Sequence, residues 1–100
     1  MSDSENVELF RNAGIEFRSV RLAIETGGEI RLSAQDMGPT VEQTWNRDDY
    51  EFWINVPVQA IARLAFVLLR DRYVGREKAV DEFRSFCEQS GIEHSFETWP

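Results

Sequence analysis

DMGPTVEQTWNRDDYEFWINV, residues 36–56, is the stretch that decides how this chain folds. Its opening ends an extended element, because Pro39 has no N–H to give a ladder and suits the first turn of a helix. Thr40 to Asn46 then reads as a short helix, with Val41 and Trp45 four residues apart on one face. Asn46-Arg47-Asp48-Asp49 is a polar turn. From Tyr50 the pattern changes period. Tyr50, Phe52, Ile54 and Val56 alternate with Glu51, Trp53 and Asn55, as in a strand with one buried face. Trp53 falls among the polar positions, so it is expected to be partly exposed or covered by another element.

Upstream, the same period recurs twice. Val20, Leu22 and Ile24 alternate with Ser19, Arg21 and Ala23, and Ile30, Leu32 and Ala34 alternate with Arg31, Ser33 and Gln35. Thr26-Gly27-Gly28-Glu29 separates them, and a glycine pair between alternating runs predicts a hairpin, since glycine reaches positive φ without steric cost. The pair lacks the surroundings of a phosphate loop, and no helix follows it. Residues 1–12 offer only Val7, Leu9 and Phe10 to a core and read as a loosely ordered leader, with a short turn of helix at its end.

Downstream, Pro57 stops the strand. Val58 to Arg72 carries an apolar stripe broad enough for a helix buried on more than one side. Gly75 breaks it. A second helix is expected from Arg76 to Gln89, with Ala79, Val80, Phe83, Phe86 and Cys87 at helical spacing and Gly91 just past its end. Ile92 to Trp99 alternates again and is expected to be a last strand. The order β-β-(α)-β-α-α-β predicts an α+β fold. Its form would be a two-layer sandwich, a three- or four-stranded antiparallel sheet with two C-terminal helices on one face, in a single domain over residues 1–100.

Composition narrows the chemistry. One hundred residues, 42% hydrophobic, can build a core without disulfides or metal. The net charge is −7 and sits in the first half, where eleven acidic residues up to Pro57 face five basic ones. Such a balance opposes a nonspecific grip on nucleic acid, whose phosphates need clustered Lys and Arg. No apolar run approaches the roughly 20 residues of a membrane-spanning helix, and the acidic N-terminus has no signal core. A cytoplasmic location is the expectation. Cys87 and His94 are the only residues of their kinds, which removes an internal disulfide and the usual zinc or His-paired sites within one chain.

Acids close in sequence, Asp48, Asp49 and Glu51, or Asp81 and Glu82, lie in polar surroundings that read as solvated. No nucleophile motif, metal spacing or cofactor loop appears, so no enzyme is expected, and no catalytic or metal residues and no cofactor. The aromatic residues serve either as core and edge filler or as an aromatic patch beside those acids. In the second case Asp48, Asp49, Tyr50, Glu51 and Trp53 form a partner-binding surface. Interfaces are enriched in Trp and Tyr, and complementary charge steers a basic protein toward acids.

The pattern Asp36-x-Gly38-Pro39-x-Val41-Glu42-x-x-Trp45, followed by Asp49-Tyr50-Glu51, Gly91-Ile92 and Trp99, resembles that of short uncharacterised bacterial proteins across residues 16–99. Some small acidic proteins of this kind are immunity partners of secreted toxins. The resemblance implies a bacterial, noncatalytic module that binds a basic toxin domain, and it carries over no site residues. The alternative is a small-ligand-binding or enzymatic α+β domain acting as a homodimer. Self-association into a homodimer through an unpaired sheet edge is expected in the absence of the partner.

Overall fold

Four strands form one antiparallel sheet in the order β1-β2-β3-β4, so each strand lies beside its neighbour in sequence. The computed structural model of the chain describes residues 5–39 and 49–100. The strands are β1 (Glu5–Ala13), β2 (Phe17–Ile24), β3 (Ile30–Met37) and β4 (Asp49–Val56). A short 3-10 turn, Val58–Ala60, leads into helix α1 (Ile61–Tyr73), and helix α2 (Ala79–Ser90) follows. The fold is α+β, an open antiparallel sheet with two helices. Two compact units divide the chain, Met1–Leu64 and Ala65–Pro100, and the boundary falls within α1.

The first unit is organised by register. Val20 pairs with Ala34 and Ala34 with Phe52; Leu22 pairs with Leu32 and Leu32 with Ile54; Ile24 pairs with Ile30 and Ile30 with Val56. Directly opposite residues share a face, so these rows make one face apolar from strand to strand. β1 extends two rows, with Phe10 opposite Val20 and Val7 opposite Leu22. At one end of this face Arg18 donates twice to the Asp36 carboxylate, at 2.5 and 2.6 Å, and its guanidinium stands 5.6 Å from the Phe52 ring centre. That guanidinium holds the Asp36 carboxyl below its ordinary range, chiefly through the hydrogen bonds, which outweigh the opposing effect of burial, with its charge adding a smaller pull in the same direction.

The expected hairpin joins β2 to β3. The Gly28 N–H donates to the Glu25 carbonyl at 2.8 Å, and Gly28 takes φ 92°, a conformation that an L side chain resists. Gly38 is constrained more tightly. It has φ 135°, and a Cβ there would stand 2.6 Å from the Ile15 carbonyl oxygen.

Two expectations about strands are corrected. Residues 5–13 form β1 rather than part of a loose leader. The bulge between Glu8 and Phe10 inserts an extra residue, so Val7 and Phe10, not Val7 and Leu9, share the apolar face. That offset breaks the period of two and conceals the strand from a pattern reading. The tail 92–99 is not a strand. Its polar groups close locally instead: a His94 ring nitrogen donates to the Ile92 carbonyl (2.7 Å) and the Ser95 hydroxyl to Glu97 (3.0 Å). Such short-range bonds compete with a ladder. The fourth place in the sheet belongs to β1. The short helix expected over Thr40–Asn46 lies outside the described residues.

In the second unit, α2 ends as its sequence predicts. Gly91 adopts φ 67°, the Ile92 N–H reaches back to the Cys87 carbonyl at 2.9 Å, and the Gly91 N–H reaches Glu88. Phe83 lies edge-on to Tyr73 and alongside Phe86. Arg72 covers both Tyr73 and Phe86, while Arg84 sits 4.1 Å from the centre of Phe96 and so ties the tail. Cys87 is 3% exposed, the small buried hydrophobe that its place on the apolar stripe predicts. Arg76 donates to both Glu82 oxygens (3.1 and 2.6 Å), bridging the connection to α2, and holds the Glu82 carboxyl below its ordinary range.

Candidate partner-binding face

The other face of the sheet is polar, and the same register assembles it. Asn6, Ala23, Arg31 and Asn55 form one row; Glu8, Arg21, Ser33 and Trp53 the next; Arg11, Ser19, Gln35 and Glu51 a third. Phe17, Met37 and Asp49 close the end. Side chains along these rows are tied to one another. Arg11 donates to Glu8 (2.7 Å) and stands over the Phe17 ring, Arg21 donates to Asn6 (2.8 Å), and Ser19 is 7% exposed beneath them.

Arg31 is the most heavily committed. Its Nε donates to Asn55 Oδ1 at 2.9 Å and lies 3.0 Å from Glu25 Oε1, while its guanidinium carbon stands 5.2 Å from the centre of the Trp53 ring. A guanidinium over an indole is attracted by the negative π face and also fixes the plane of the ring. Trp53 remains 51% exposed. The result is a large aromatic surface held in one orientation and still open to solvent, an arrangement suited to an anchor because little side-chain freedom is left to lose on binding.

Of the five residues expected at a partner surface, three come together here. Asp49, Glu51 and Trp53 occupy alternate positions along β4 and therefore project from the same face. Tyr50 does not join them. It lies on the apolar face with its ring 5.4 Å from that of Phe52, and its register partner is Asp36. Asp48 lies outside the described residues. The sequence reading passed over Arg31, Ser33 and Gln35, which the register sets opposite Asn55, Trp53 and Glu51. A signal for Arg31 was present: it alternates with Ile30 and Leu32 as Trp53 alternates with Phe52 and Ile54, which sets both opposite the apolar face of their strands.

Among the described residues no group of three or more His, Cys, Asp or Glu is placed to hold a metal ion. Among the described residues no helix is long and apolar enough to cross a membrane. In the second unit, a shallow hollow is lined by Arg72, Lys78, Asp81, Glu82 and Ser85, so charges of both signs share it. No protein-family model matches the chain, and searches of curated proteins and of solved structures find no match.

Proposed function

We propose that this chain is a noncatalytic bacterial protein-binding module of the cytoplasm whose polar sheet face takes a basic protein. Its most concrete form is an immunity protein that covers a basic toxin domain. The observation that carries the reading is the row on β4: two carboxylates, Asp49 and Glu51, beside an indole that Arg31 holds in place and that stays half exposed. Charge near an interface acts mostly on the encounter, whereas an ordered aromatic in its centre acts on the lifetime of the complex. The acidic first half of the chain, with a net charge of −6 up to Pro57, supplies a long-range field of the same sign. Self-association of the chain belongs to the same reading.

The test begins with capture of the partner from its native cell and its identification by mass spectrometry. Asp49→Lys with Glu51→Lys should slow association at low salt and flatten its salt dependence. Trp53→Ala should speed dissociation, with a loss of about 2 kcal/mol or more. An association rate that ignores the charge reversal, in variants whose circular dichroism is unchanged, refutes the acidic face as a binding surface.

A further inference from the structure

The two outer strands of the sheet, β1 and β4, are not equivalent edges. β1 carries the bulge between Glu8 and Phe10, which bends the strand and interrupts the even spacing of its outward donors and acceptors. Bulges of this kind are one of the ways in which edge strands avoid pairing. β4 carries no bulge. It pairs with β3 residue for residue from Asp49 to Val56, contains neither proline nor lysine, and exposes Glu51 to Asn55 without a break.

We infer that β4 is the seam of a homodimer, in which two copies of the chain pair antiparallel about a two-fold axis at Phe52 and continue one sheet across both molecules. The argument is one of register. Opposite residues in an antiparallel pair share a face, so a two-fold axis normal to the sheet must pass beside one residue and set its neighbours opposite each other in order. Centred on Phe52, Tyr50 meets Ile54 of the second copy, Glu51 meets Trp53, and Asp49 meets Asn55. The apolar face then continues through the seam, and no carboxylate opposes another. Shifting the axis to Glu51 sets that residue against its own copy, and shifting it to Tyr50 sets Asp49 against Glu51; like charges directly opposite are destabilising. An axis at Trp53 would stack the two indoles, each already covered by an Arg31 guanidinium, and bring those two cations together. The Phe52 axis does the reverse. It extends the row Arg31–Asn55 to Asp49 of the second copy, so the cation of one chain lies in line with an acid of the other.

This inference rests on the self-association within the proposed function and does not depend on the basic partner. Sedimentation of the native chain from micromolar to millimolar concentration should give a monomer–dimer equilibrium. Ile54→Lys, at a position 67% exposed, places a cation opposite Tyr50 of the second copy twice in each dimer. It should weaken the dimer about tenfold, as two lost cross-strand pairs imply. Leu9→Lys, on the bulged β1 edge and 54% exposed, should leave the equilibrium unchanged. Amide exchange on the native chain gives a second readout free of any mutation: alternate β4 amides should gain protection as concentration rises, and β1 amides should not. A monomer at every concentration overturns the inference. So does a dimer that Leu9→Lys weakens as much as Ile54→Lys, or one that protects β1 instead. A monomer that still binds a basic partner separates failure of the seam from failure of the partner reading.

Discussion

The arrangement around Arg31 predicts a specific energetic signature. Arg31→Ala removes three interactions at once: the stack on Trp53 at 5.2 Å, the hydrogen bond to Asn55 at 2.9 Å and the ion pair with Glu25 at 3.0 Å. Both side chains of the ion pair are partly exposed, which places it at the weak end, below about 1 kcal/mol. The stack is likewise near the surface and is worth about 0.5–1 kcal/mol. With a hydrogen bond of about 1 kcal/mol added, the substitution should cost roughly 2 kcal/mol in total. For a chain of this length that lowers Tm by about 10 °C. Urea unfolding followed by far-ultraviolet circular dichroism measures the loss, with an unchanged slope confirming that folded compactness is retained. The stack itself is isolated by a double-mutant cycle of Arg31→Ala with Trp53→Ala, for which a coupling of about 0.5–1 kcal/mol is expected. A coupling indistinguishable from zero would refute the reasoning, because Trp53 would then owe nothing of its position to Arg31. The case for a pre-ordered anchor would fall with it.

Other expectations follow from single features. Gly38→Ala should destabilise the fold by more than about 1 kcal/mol in urea unfolding, since the new methyl would combine positive-φ strain with a clash against the Ile15 carbonyl. The carboxyls of Asp36 and Glu82 sit below their ordinary values of 3.8 and 4.5, so their contribution to stability is complete above those values and is lost as pH falls through the lowered ones. Asp36→Asn should therefore shallow the fall in stability on the acid side while leaving its shape above pH ~5 unchanged. Cys87 should resist a thiol reagent in the native chain and react only at the rate of opening of α2, which a change of absorbance with reagent concentration would reveal.

Much of the architecture was legible because it is local. The alternation of Val20, Leu22 and Ile24 with polar residues, repeated over Ile30 to Ala34 and Phe52 to Val56, implies three strands with one apolar face each, and Gly27-Gly28 joins the first two. Pro57 and Gly91 mark a stop and a cap through their own backbone constraints. Cys87 at helical spacing with Phe83 and Phe86 announced a buried thiol. All of these are statements about a residue and its near neighbours, which sequence encodes directly.

Pairing is different, because a strand is completed by a partner from any distance along the chain. Residues 5–13 and 92–99 compete for the same reading, and the pattern favoured the wrong one. The tail alternates cleanly yet closes its polar groups on itself, while β1 hides its alternation behind a bulge that only its pairing with β2 makes sense of. The candidate face follows the same division. Period two along β4 is enough to set Asp49, Glu51 and Trp53 on one side and Tyr50 on the other. That Arg31 reaches across to cover Trp53, and so turns an exposed indole into an ordered one, depends on the β3–β4 register and on side-chain geometry between strands. Periodicity assigns a side chain to a face; what it meets there is decided by the neighbouring strand.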